Sequence, residues 1–324
     1  MKIKSVLFAI SLLTAFFSLS SSAQAEEKIF TIGASAIVEH PSLDAVRDGA
    51  KAELQKEGFI EGKNLHFIYK TAQNKQSTIV QIINKYVGDN VDLLLSIATA
   101  SAQAAHNTTQ TIPIVFSGVS APVYAGLLKN PQAPEANVTG VSDMPPVEEQ
   151  VKLMKEIVPN LKTIGFLYNP SEANSIANLE RLDRVAEKYG LKVIPSAAIQ
   201  TAQVRNAALA LVGKVDMLYT APDNTIVAAI ETAVMVANEN KIPFMAADGE
   251  STRRGALISY GTNYFEIGRQ TGKMIARILR GEKIHNIPME IAKPTELSIN
   301  EKTAKAIGFQ FPQSVLKRVT NRYS

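Results

Sequence analysis

The chain has 324 residues, 46% of them apolar and 20% charged, a formal charge of +4, and neither cysteine nor tryptophan. Without thiols it has no disulfides and no lipid-accepting cysteine, and without a Lys/Arg run or low-complexity stretch it has neither a nucleic-acid face nor the make-up of a linker. That leaves a globular protein with enough apolar residues for a sizeable core.

Met1-Lys2-Ile3-Lys4, an apolar stretch from Val6 to Phe17, and a Ser-rich segment closing on Ala23-Gln24-Ala25 have the three regions of a cleavable signal peptide in order. An apolar run of about 12 residues is short of the roughly 20 that span a bilayer. Cleavage after Ala25 takes two lysines with it and leaves 299 residues at a formal +2. The expected location is the periplasm, with no membrane embedding.

From residue 29 to about 280, short β-branched runs alternate with longer amphipathic stretches, the pattern of βαβ units around parallel sheets. Strands are expected at Ile29–Ala34, Leu65–Lys70, Leu93–Ile97, Ile114–Ser117, Thr163–Tyr168, Lys192–Pro195, Met217–Tyr219, Phe244–Ala246 and Ala256–Ser259. Between the first two, Leu43, Val46, Ala50 and Leu54 recur at helical spacing and form one apolar stripe.

The chain also repeats itself. Ile32-Gly33, Pro41-Ser42 and Gly58 match Ile164-Gly165, Pro170-Ser171 and Gly190; Val91-Asp92-Leu93-Leu94 matches Val215-Asp216-Met217-Leu218; Ile112-Pro113-Ile114 matches Ile242-Pro243-Phe244. This predicts an α/β fold of two similar doubly wound parallel-sheet lobes. Asn137–Asp143, followed by Pro145-Pro146 and a helix from about Val147, reads as a first crossing between them. A second falls near Ser259-Tyr260-Gly261, before a helix from Tyr264 to Arg280 stopped by Gly281, and a third near Met289–Pro294. The expected division is a signal peptide at 1–25, an N-terminal lobe of 26–141 plus about 260–291, and a C-terminal lobe of about 142–259 plus 292–324. Three crossings make a hinge.

Signatures of catalysis are missing. Gly33-Ala34-Ser35-Ala36-Ile37 lacks the second glycine of a nucleophile elbow, the four histidines form no helical metal pair, and no Gly-rich phosphate loop occurs. No cofactor or metal is expected, and no enzyme.

Polar residues do gather at the carboxyl ends of the expected strands, where open α/β sheets bind ligands. The candidates are Ser35, Glu39, Thr99, Gln103 and Ser117 in the first lobe, Asp143 at the first crossing, and Asn169, Asn174, Ser175, Asp223, Asn224 and Asp248 in the second. Several precede helices, whose free first-turn N–H groups favour an anion, while Thr99, Asn174 and Ser175 are equally ordinary capping residues. The acidic set, which includes Glu172, would attract an ammonium group; Asp223 and Asp248 could instead cap helices or pair with Arg253 or Arg254. Phe116, Tyr168, Tyr219, Val119 and Ile37 serve either an apolar pocket or the core.

Together His40-Pro41-Ser42-Leu43-Asp44, Glu61-Gly62-Lys63-Asn64, Ile97-Ala98-Thr99, Asn137–Asp143, Tyr168–Ser175, Pro222-Asp223-Asn224-Thr225 and Gly268-Arg269-Gln270-Thr271-Gly272 resemble the importer components that bind tryptophan and tyrosine. The resemblance covers essentially all of the chain after the leader. It implies a two-lobed fold with three hinge strands, an aromatic amino acid (Phe, Tyr or Trp) as ligand, and delivery to the membrane permease of an ABC importer. By position it implies that Thr99, Asn174, Ser175, Asp223, Asn224 and Asp248 hold the ligand's polar end. Gram-positive members carry a lipid-anchor cysteine, which this chain lacks.

Overall fold

The computed structural model describes residues 28–134, 137–293 and 295–324; the expected signal peptide lies outside them. The chain begins with β1 (Phe30–Ala36), α1 (Pro41–Lys56), β2 (Leu65–Thr71), α2 (Gln76–Gly88), β3 (Leu93–Ile97), α3 (Thr99–Thr108), β4 (Ile114–Ser117) and β5 (Val138–Ser142). It continues through α4 (Val147–Ile157), β6 (Thr163–Tyr168), α5 (Ala173–Lys188), β7 (Lys192–Ala197), α6 (Val204–Leu209), β8 (Met217–Tyr219), α7 (Asn224–Ala228), α8 (Ile230–Glu239), β9 (Phe244–Ala246), α9 (Gly249–Arg253) and β10 (Ile258–Thr262). It ends with α10 (Tyr264–Leu279), β11 (Glu290–Ile291), β12 (Thr295–Asn300), α11 (Glu301–Ile307), α12 (Gln313–Leu316) and β13 (Asn321–Tyr323).

These strands form two sheets, ordered β11-β5-β4-β3-β1-β2 and β13-β12-β10-β9-β8-β6-β7. All pairings are parallel except β10 with β12. The antiparallel β12, the edge strand β13 and the helices α11 and α12 are additions that the alternating pattern does not predict.

The repeat has a structural basis. Asp92 Oδ2 accepts from the backbone N–H of Thr31 at 2.8 Å, and Asp216 Oδ2 accepts from that of Thr163 at 2.8 Å, so each aspartate ties the start of its lobe's first strand to its third. Leu94 N–H donates to Pro113 O and Leu218 N–H to Pro243 O, and after each first helix Phe59 N–H donates to Leu54 O and Leu191 N–H to Ala186 O. The Pro-Ser pairs are not equivalent, however. Pro41 is the first residue of α1, whereas Pro170-Ser171 precedes α5, which starts at Ala173. Both helices run 16 residues, and a gapless match from Ile32-Gly33 to Gly58 and from Ile164-Gly165 to Gly190 pairs His40 with Glu172.

The chain passes between sheets three times. After β5 it enters the second lobe at Asp143; after β10 it returns at Asn263, beyond Ser259–Gly261, because Ile258–Thr262 pairs throughout with β12; after β11 it leaves again for β12. Asn263 caps α10 by accepting from Phe265 N–H (2.9 Å) and Glu266 N–H (3.3 Å). From there α10 lies along α1 with three glycines at the seam: a Cβ on Gly49 would come within 2.0 Å of Phe265 O, one on Gly268 within 2.1 Å of Val46 O, and one on Gly272 within 2.8 Å of Ala50 O. Backbones this close fix α10 on the first lobe, with the buried Glu53 carboxylate accepting from Arg269 Nε at 2.9 Å beside them.

Each lobe has its own core. Ile32, Leu54, Ile83, Leu95 and Phe116 are fully buried in the first and Phe166, Met217, Tyr219 and Ile299 in the second, while Leu218, Phe244 and Val236 cover the second sheet's other face. Phe116, Val119 and Tyr219 thus serve packing. No helix among the described residues is long and apolar enough to cross a membrane, and these residues hold no cluster of His, Cys, Asp and Glu suited to a metal ion.

Candidate functional site

The carboxyl ends of both sheets face each other, and a small polar cavity of about 20 Å³ lies between them, the volume of about one water molecule. Of the sequence candidates, Thr99, Asp143, Asn174, Asp223, Asn224 and Asp248 line it. His40 and Ser120, which close the strand-end segments Ser35–His40 and Ser117–Ser120 expected to face the cleft, line it too, as do Ser42 and Tyr264, which the sequence reading does not single out as ligand contacts. His40 and Tyr264 had a visible signal in hindsight, since each stands at the start of the helix that follows a strand end or a crossing.

Two larger spaces adjoin this cavity. One, of about 290 Å³, shares Asn174 and is lined by Gln103 and Asn169 among the candidates, with Ile37 and Ile199. The other, of about 560 Å³, shares Ser120 and is mainly apolar, with Val123, Tyr124, Met144 and Met289. The remaining candidates sit elsewhere. Ser35 Oγ is bonded to Ser101 Oγ at 2.7 Å and Ser117 Oγ to Thr271 Oγ1 at 2.7 Å, both inside the first lobe. Ser175 stands behind Asp223, donating to its Oδ2 at 2.6 Å, and Glu39 is exposed.

The three cavity carboxylates are held by fixed donors. Asp143 accepts from Ser120 Oγ at 2.9 Å and from Tyr264 OH at 2.6 Å. Asp223 accepts from the N–H of Ile226 (2.8 Å) and of Asn169 (2.6 Å) besides Ser175. Asp248 accepts from Ser251 N–H at 2.9 Å, from Ser251 Oγ at 2.7 Å, and across the lobes from Ser42 Oγ at 3.0 Å. Asp223 and Asp248 therefore cap α7 and α9, as the packing alternative expects, and they face the cavity as well; Arg253 and Arg254 pair instead with Glu250 and Glu231.

Burial pushes Asp143 above the usual carboxylate range, against the pull of Tyr264 and Ser120. Burial and the adjacent Glu172 push Asp223 up to about 8, against its three donors. Each would be eased by a cation. A carboxylate has about four acceptor positions, so each of the three has capacity left for an ammonium group, and Asp143 is held by side-chain donors from Ser120 and Tyr264.

Also lining the cavity, Ala98 stands before α3 with φ 69° and ψ 162°, a conformation that only glycine adopts without strain. It is held there by its N–H donating to Ser117 O at 2.9 Å. The consequence is that the first turn of α3 points at the cavity with no side-chain cap.

A hinged pair of doubly wound lobes closing over a polar cavity is a solute-binding fold. The chain belongs to the family of ABC transporter substrate binding proteins, matching it over residues 31–322. It is 39% identical over 279 residues to a tyrosine-binding protein of Clostridioides difficile, covering 86% of this chain and 81% of that one. A Streptococcus pneumoniae domain solved in complex with L-Trp superposes with a TM-score of 0.88 at 32% identity, covering 91% of this chain and all of that one. The ligand-free, open structure of a substrate binding protein from Clostridium difficile, with the same coverage, gives only 0.70 at 38% identity. Of these two, the more distant sequence is the nearer in shape.

Proposed function

We propose that this protein captures an aromatic amino acid between its lobes and presents it to the permease of an ABC importer, without a catalytic step of its own. The observation that carries this reading is the cavity's double character: it is lined by the carboxylates of Asp143, Asp223 and Asp248 and by the uncapped first turn of α3, complementary to an ammonium and a carboxylate group. The tyrosine-binding relative and the L-Trp complex support an aromatic side chain, for which the adjoining spaces of about 290 and 560 Å³ give room. The Met1–Ala25 pattern supports export to the periplasm.

The protein refolded from denaturant, to strip carried ligand, should show a higher thermal midpoint with Phe, Tyr or Trp and no change with sugars or nucleosides. Ligand bound only by the folded state raises stability by about 2.7 kcal/mol at a hundred times its dissociation constant. A midpoint that rises with a sugar and with no amino acid would replace the proposed ligand class.

A further inference from the structure

The gapless match of the two lobes sets His40, the residue before α1, against Glu172, the residue before α5. In the second lobe Glu172 is already engaged. Its carboxylate accepts from the backbone N–H groups of Asn224 (3.0 Å) and Thr225 (3.1 Å), and from Asn224 Nδ2 (2.6 Å) and Thr225 Oγ1 (2.9 Å), filling the start of α7.

The first lobe has the same frame, with an imidazole in place of the carboxylate. β3 and α3 occupy the places of β8 and α7, the first turn of α3 has no side-chain cap, and Ala98 offers no side-chain oxygen. His40 lines the same cavity as Ala98 and Thr99. It is only 7% exposed, and its Nδ1 is buried with no hydrogen-bond partner among the described residues. A buried polar nitrogen without a partner costs about 1–3 kcal/mol, so such a group ordinarily has a hydrogen-bond partner in the functional state.

We infer that the first lobe receives the ligand's carboxylate where the second lobe holds its own Glu172: the carboxylate seats against the first turn of α3, and His40 donates to it from Nδ1. This rests on the amino-acid reading above and fixes the ligand's direction, carboxylate to the first lobe and ammonium toward Asp143 and Asp248. Burial and the charge of Arg254 keep the imidazole neutral, lowering it to about 3. A neutral donor suits this place, because a glutamate there would fill the helix start itself and repel the ligand.

The test is calorimetric titration of the refolded protein with L-tryptophan and L-tyrosine and with tryptamine and tyramine, which lack the carboxylate. The wild type should bind the acids at least about tenfold tighter than the amines. His40→Leu should lose about 10- to 100-fold for the acids and little for the amines, while His40→Asn, which keeps a donor near the Nδ1 position, should retain most of the affinity. Unchanged circular dichroism keeps a folding defect separate. Equal losses for acids and amines in His40→Leu, or acids and amines bound alike by the wild type, would overturn the inference alone. Wild-type protein that binds neither amino acid would overturn the ligand reading and this inference with it.

Discussion

Gly268→Ala should lower the thermal midpoint by several degrees. The added Cβ meets Val46 O at 2.1 Å, and because the obstacle is backbone no rotamer change relieves it. Either α10 lifts from α1 or the pair shifts as a body, and overpacking of this kind costs about 1–3 kcal/mol, occasionally more. At roughly 2–4 °C per kcal/mol for a chain of this general size, the loss is measurable by calorimetry. Gly88→Ala is the control: it lies in α2 with nothing within 4 Å of the new Cβ, so it should be neutral or slightly stabilising, since alanine is the better helix former. Equal midpoints for the two variants would mean that the α1–α10 seam is not closely packed. The seam matters to function because it makes α10 part of the first lobe right up to Asn263, leaving the bending to the crossings.

Asp143→Asn should weaken amino-acid binding by about 2–5 kcal/mol, the range for removing one partner of a buried charge pair, while the protein stays folded. The amide is nearly isosteric and its oxygen still accepts from Tyr264. What disappears is the negative charge facing the ammonium group. Asp223→Ala is a poorer probe, because Asp223 also holds the N–H groups of Asn169 and Ile226 and its loss would cost about 1–3 kcal/mol of stability besides affinity. Affinity for the amino acid unchanged in Asp143→Asn would remove Asp143 from the site.

The parallel strands could be read from the sequence because each is a short apolar run closed by a polar turn; Leu93–Ile97, Ile114–Ser117 and Thr163–Tyr168 have the expected bounds in the structure. The repeat was legible because the same local problems recur in both lobes, an aspartate tying two strands and a glycine ending the first helix. The C-terminal tail was not, since Thr295–Asn300 alternates weakly and its antiparallel pairing with β10 depends on a contact distant in the chain.

For the site, the rule that ligands sit at strand carboxyl ends gathered loops that line the cavity but could not say which side chains turn inward. Ser35 and Ser117 stand at strand ends and are consumed by Ser101 and Thr271 across the lobe interior. Tyr264 reaches the cavity from a helix two residues past a strand, and His40 from the residue before α1, at the end of the segment that follows β1.

The account's central claim is that two lobes close on one aromatic amino acid. Small-angle scattering of the refolded protein, before and after L-tryptophan or L-tyrosine, tests it most directly. The account predicts a smaller radius of gyration with either amino acid and none with glucose, because a ligand shifts an open–closed equilibrium only through contacts made in the closed state. A radius unchanged by either amino acid at concentrations that saturate binding would contradict it.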